Sequence, residues 1–377
     1  HMMNISSSNM NVSGSEITAD NMDQFCGDGL NQFRLKLVLI YGYLSLFVCL
    51  FGMVANGINI IILTRKEMQS STNTLLTGLA ISDMIVMVEY IPFTIYMYMF
   101  TRESHIKFSY KWALFILFHA HFTQIVHTVS IWLTLTLAVW RYIYVNYSAE
   151  RHYWCSNERA YLAIVSGYLI CPVLYLPFYW LISIKEKTVP GNGSVYIVEW
   201  SETACLHEQL LLRVNFWLYG VLYKLLPCLC LTVFIVSLIK TICKAQDRRM
   251  EIIEVQEILN SDKEKKINRS HRQKERTTTL LLAVLLLFLI TEFPQGILAL
   301  FSGIKGTKFF KDCHVNFGEI ADLLALLNSA INFILYCCMS GNFRKCFKKL
   351  FLPFDCRKRN LILNNEREGR ATITTYV

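Results

Sequence analysis

Apolar residues run along this chain in long unbroken blocks, not in the short alternating segments that barrel strands would need. A bilayer core is about 30 Å thick and a helix rises about 1.5 Å per residue, so a span needs about 20 mostly apolar residues. Seven blocks qualify: 37–63, 75–100, 112–145, 160–184, 210–242, 277–304 and 317–339. The pattern therefore predicts an all-α membrane protein, a bundle of seven transmembrane helices. Polar interruptions in the third and fourth blocks suit faces turned toward the bundle interior. Beyond the seventh block, Phe343, Phe347, Leu350 and Phe351 fall on one helical face, with Arg344, Lys345, Lys348 and Lys349 on the other. That predicts an amphipathic eighth helix over 340–352 lying on the inner leaflet. The organisation is then an outer tail (1–36), the bundle (37–339), the surface helix (340–352) and a cytoplasmic tail (353–377).

Composition agrees. The chain is 54% hydrophobic and 17% charged, against about 25% charged in soluble domains, so it has too little polar surface to fold in water. The net charge of +9 matters through its placement. With the N-terminus outside, Arg65, Lys66, Arg141, Arg151, Arg159, the run from Lys240 to Arg276 and the tail from Arg344 to Arg370 collect on the inner side. This excess reads as plasma-membrane topology and attraction to anionic lipids, with no nucleic-acid partner. No acid–base or metal set suggests an enzyme; His119, His121 and His127 do not share one helix face, which argues against zinc.

Sequons begin at Asn4 and Asn11 in the N-terminal tail and at Asn192 in an expected outer loop. Of thirteen cysteines, Cys26, Cys205 and Cys313 are the ones clearly outside, enough for one bridge and one leftover. The terminal Thr375-Tyr376-Val377 fits a PDZ-domain ligand.

Charge inside a bilayer is expensive unless paired or wet, so the few intramembrane charges are candidates for function. They are Asp83, Glu89, Glu292 and Asp322, with Glu319 one turn nearer the outside, and one cation, Lys224, in the fifth span. Two readings of Glu292 stand open: it pairs with Lys224, or it receives a cation from a ligand in a cavity lined by Gln124, His127, Tyr223 and Gln295.

Several motifs carry a resemblance. The first span has Gly52-Met53-Val54-Ala55-Asn56 and the second Leu79-Ala80-Ile81-Ser82-Asp83. The third ends in Trp140-Arg141-Tyr142; the fifth has Pro227, and the sixth Phe288 and Pro294. The seventh reads Asn328-Ser329-Ala330-Ile331-Asn332-Phe333-Ile334-Leu335-Tyr336. Over residues 37–351 this set resembles the rhodopsin-like (class A) G-protein-coupled receptors. With Phe25-Cys26-Gly27, Glu89-Tyr90-Ile91-Pro92 and Thr291-Glu292-Phe293-Pro294-Gln295-Gly296 it is similar to the myosuppressin and FMRFamide-related neuropeptide receptors.

The resemblance implies a receptor for an amidated neuropeptide that activates a heterotrimeric G protein of the Gi/o type and meets arrestin. The alternative is a class A receptor for another peptide or a small amine. A peptide ending in Arg-Phe-amide asks for carboxylates, offered by Glu89, Glu319 or Asp322, and for an aromatic slot from Phe93, Tyr96, Trp217 or Tyr219. The competing reading pairs Glu319 and Asp322 with Lys305, Lys308 or Lys311. Asp83, Ser130, Asn328, Ser329 and Asn332 match the family's sodium site, with sodium as an allosteric modulator; the alternative is that they bond one another and water.

Arg141, Tyr336 and Phe288 are implied at the G-protein interface or switch, and Lys224 and Glu292 stand where the family usually has touching aromatic residues. The chain also departs from the family. Trp140 replaces the acid beside Arg141, which implies basal activity; Phe333 replaces a proline, and Ile116 a disulfide cysteine. With that partner gone, Cys26–Cys313 is the favoured bridge, and Cys205 with either of them the alternative.

Overall fold

The computed structural model describes residues 25–100, 109–147, 149, 151–189, 193–206, 210–256 and 264–351. The sequons at Asn4, Asn11 and Asn192 and the C-terminal motif lie outside them. Seven long helices run in chain order: α1 Asp28–Leu63, α2 Ser71–Thr94, α3 Tyr110–Asn146, α4 Asn157–Leu174, α5, α6 Glu264–Lys305 and α7 Gly318–Met339. Helix α5 is composite: Leu210–Trp217, a π-helical stretch Leu218–Leu225, and Leu226–Gln256. A final helix, α8, covers Gly341–Phe351. Among the described residues six helical stretches are long and apolar enough to cross a membrane; the eighteen-residue α4 is the short member.

Local chemistry sets several ends. Ser70 caps α2 by accepting from the Asn73 amide, and Ser156 caps α4 by accepting from the Arg159 amide, each satisfying a donor the helix start leaves open. The fourth span stops earlier than the apolar pattern predicts. Pro177 has no N–H to continue the ladder, a single turn Leu176–Tyr179 follows, and residues 182–184 belong to a β-hairpin instead. Its strands, β1 (Ile182–Val189) and β2 (Gly193–Trp200), pair antiparallel with Ile182 opposite Trp200. Helix α1 begins nine residues before the apolar block (37 to 28), so Arg34 and Lys36 are helical.

In the bundle, α1 packs on α2 and α7, while α3 touches α2, α4, α5 and the hairpin. One core cluster, with Leu75, Leu79, Leu133, Leu137 and Tyr336, lies toward the α8 end; a second, with Met87, Tyr90, Phe93, Ile116 and Val198, lies under the hairpin. Large apolar side chains such as Phe47, Leu162, Leu169, Val173, Leu229, Val233 and Ile290 face outward, an arrangement stable only against lipid. Phe343 of α8 is buried, with its ring centroid 5.5 Å from that of Tyr336. An exposed contact, Lys349 Nζ to Glu67 at 3.0 Å, joins α8 to the α1–α2 turn.

Candidate functional site

A cavity of about 230 Å³ opens between α2, α3, α5, α6, α7 and the hairpin. Of the residues expected there, Phe93, Gln124, His127, Tyr219, Gln295 and Asp322 line it, and so does Lys224. Glu89, Tyr223, Glu292 and Glu319 stand outside its immediate lining. Tyr223 turns toward α4, where its hydroxyl donates to the Leu174 carbonyl at 2.5 Å.

The floor is a charge pair. Lys224 Nζ donates to Glu292 Oε2, with the side chains 2% and 0% exposed. Local backbone chemistry brings them together. Lys224 sits in the π-helical stretch of α5, and Glu292 lies two residues before Pro294 in α6. A Cβ added at Gly220 would meet the Leu300 amide nitrogen at 2.9 Å, and one at Gly296 would meet the Lys224 Cβ at 3.0 Å. Glycine at both positions is what allows α5 and α6 to approach this closely. His127 of α3 completes the floor, its Nε2 3.1 Å from Lys224 Nζ and 3.2 Å from Glu292 Oε2.

One wall is acidic. Glu89 lies behind His119 and receives its Nδ1 at 2.9 and 2.8 Å, while His119 itself lines the cavity and stacks on Phe93 with centroids 3.7 Å apart. Asp322 of α7 brings a carboxylate into the lining itself. The aromatic surface comes mainly from Phe93, Tyr90, Tyr175, Phe178, Trp200 and Phe310, not from Tyr96, which stacks on Trp112, or Trp217, which is 45% exposed.

Glu319 is occupied elsewhere. Arg34 Nε donates to both its oxygens at 3.2 and 3.3 Å, so the partner comes from α1 and not from Lys305, Lys308 or Lys311. Beside this pair Cys26 is disulfide-bonded to Cys313, Cys205 is free, and the Phe25 ring packs edge-on against Phe309. The chain before α1 is thus held to the α6–α7 connection at two points.

Deeper, a cavity of about 20 Å³ is lined by Asp83, His127, Ser130, Phe288, Asn328, Ser329 and Asn332. Ser130 donates to Asp83 Oδ1 at 3.1 Å and Asn332 Nδ2 to Oδ2 at 3.2 Å, while the buried Asn332 Oδ1 has no hydrogen-bond partner among the described residues. A carboxylate, a hydroxyl and an amide oxygen without a donor form the hard-oxygen set a small cation prefers, so these residues fit sodium. At the α8 end Arg141 is buried, its guanidinium 5.6 Å from the Tyr144 ring centroid, and Tyr336 is buried against Phe343.

His119, Arg34, Tyr90, Tyr175, Phe178, Trp200 and Phe310 are among the site residues that sequence reasoning did not place. The His119–Glu89 pair spans two helices with no local spacing to betray it. Arg34 precedes the apolar block and reads as an outer-loop cation. His121 goes its own way, packing on Tyr175 and Tyr179.

A model described as serpentine type 7TM GPCR chemoreceptor Srw matches residues 43–353. The chain belongs to the seven-transmembrane G-protein-coupled receptors. The receptor is 30% identical over 352 residues to the G-protein coupled receptor dmsr-1 of Caenorhabditis elegans, covering 84% of this chain and 69% of that one. It is 29% identical over 323 residues to the sex peptide receptor of Drosophila melanogaster, covering 83% and 72%. It is also 24% identical over 321 residues to the FMRFamide receptor of the same organism, covering 83% and 54%. The family is one of receptors, not enzymes.

Proposed function

We propose that this receptor binds an amidated neuropeptide of the FMRFamide-related or myosuppressin type and signals through a Gi/o-class G protein. The observation that carries the reading is the two-sided chemistry of the cavity. Asp322 and the Glu89-backed His119 offer acceptors on one wall, aromatic rings surround them, and Lys224 offers a donor at the floor. An arginine guanidinium suits the acceptor wall, since its planar fork needs carboxylate or imidazole partners. A phenyl ring suits the aromatic surface. The names of relatives that bind sex peptide or FMRFamide point the same way.

In this reading the hairpin end faces outside and the basic α8 end faces the cytoplasm, where Arg141 and Tyr336 meet the G protein. Asp83, Ser130, Asn328, Ser329 and Asn332 would hold a sodium ion, whose charge would tie α2, α3 and α7 together at that point. Asp322→Asn tests the ligand reading. It should lower the potency of an amidated Arg-Phe peptide at least about tenfold, the equivalent of roughly 1.4 kcal/mol, while an analogue with citrulline for arginine loses little further. Unchanged potency would remove Asp322 from the site.

A further inference from the structure

One nitrogen at the cavity floor has two partners that it cannot serve together. His127 Nε2 lies 3.1 Å from Lys224 Nζ and 3.2 and 3.1 Å from the two Glu292 oxygens. An ammonium only donates and a carboxylate only accepts. A lone pair on Nε2 accepts from Lys224 and then faces Glu292 without a proton; an N–H on Nε2 donates to Glu292 and then turns a proton toward the ammonium. The two states exclude each other.

His127 is also the exposed member of the group, at 18% against 2% for Lys224 and 0% for Glu292. It lines both the ligand cavity and the small cavity around Asp83. Its ring therefore touches ligand space, the α5–α6 charge pair and the Asp83 site.

We propose that His127 is a two-state relay, thrown when an uncharged hydrogen-bond acceptor of the ligand, such as a carbonyl oxygen, reaches the cavity floor. The acceptor takes the Lys224 N–H that His127 holds in the resting state. His127 then carries its proton on Nε2 and donates to Glu292, the Nδ1 proton being given up to cavity water and the Nε2 proton taken from it. The neutral Lys224–Glu292 pair selects the ligand chemistry. A carboxylate would add an uncompensated charge in a buried site, and a cation would meet Lys224 head-on. The proposal deepens the peptide-receptor reading and rests on it for the ligand, though not for the relay geometry.

The test uses the full-length receptor in cells, with peptide binding and G-protein activation measured separately. Phe-Met-Arg-Phe-amide is the probe. His127→Gln presents a carbonyl to Lys224 and an amide N–H to Glu292 at once, which removes the conflict. At saturating peptide, whatever the change in affinity, it should cut the maximal response about tenfold, a coupling loss in the usual allosteric range. His127→Phe keeps a ring without either function and should show the same loss of maximal response at saturation. In the charge-free Lys224→Gln/Glu292→Gln background, His127→Gln should have no further effect.

Wild-type maximal response in both His127 variants, or an equal loss in the charge-free background, would overturn the relay. If the wild-type receptor answers no amidated Arg-Phe peptide, the ligand reading fails. The relay is then judged on ligand-free signalling, lowered in His127→Gln if it holds and unchanged if it does not.

Discussion

Replacing Lys224 by glutamine tests the floor of the site most severely. Lys224 and Glu292 are 2% and 0% exposed, so Lys224→Gln strands a carboxylate where water does not reach. Breaking a buried pair on one side costs about 3–5 kcal/mol, because the remaining charge keeps its desolvation penalty and loses its partner. That is between two and four decades in a folding equilibrium. Removing both charges is a different matter, since two neutral amides can bond each other. Lys224→Gln/Glu292→Gln should recover most of the loss, with a coupling of at least about 2 kcal/mol.

The assay is thermal unfolding of purified receptor in detergent, alongside surface expression. The contact between Lys349 and Glu67, 72% and 59% exposed, is the internal control. Lys349→Gln should shift nothing measurable, because exposed pairs are screened by solvent. A Lys224→Gln receptor as stable as the wild type, or single effects that add in the double variant, would refute the reasoning.

Further outcomes follow from the same geometry. Peptide mapping without reduction should recover Cys26 joined to Cys313 with Cys205 open to alkylation, and Cys26→Ala should destabilise the receptor by about 2–5 kcal/mol. Arg34→Met, which removes the Arg34 contact to the buried Glu319, should lower thermal stability in detergent, whereas Lys305→Met should change it little. Sodium should weaken agonist binding to the wild-type receptor in a filtration assay, and Asp83→Asn should abolish that salt-specific effect while leaving choline controls unchanged.

Hydropathy alone carried most of the architecture, because a bilayer demands unbroken apolar runs of a fixed length. It failed at the ends. Arg34 and Lys36 lie inside α1 although they lie outside the apolar block, since the segment is held by the expected Cys26–Cys313 bridge and by an ion pair with Glu319 that sequence does not display. Ile182 and Ile184 read as more of the fourth span, but the backbone has already turned at Pro177 and spends them on a strand.

Within the site, Lys224 and Glu292 were legible because charge in a bilayer is rare enough that two such residues invite pairing. His119 was not, since a histidine on an apolar helix shows nothing of a carboxylate on the neighbouring helix. Nor do apolar residues announce a π-helical stretch, which is why the turn that aims Lys224 at Glu292 was invisible in the sequence.

The central claim concerns the ligand, and a dose–response of G-protein activation in cells expressing the full chain tests it most directly. A panel of amidated Arg-Phe peptides, their free acids and small biogenic amines would be compared on the same receptor. The account predicts saturable activation by one or more amidated peptides, little from the free acids and none from the amines. Activation by an amine with silence across the peptides would contradict it.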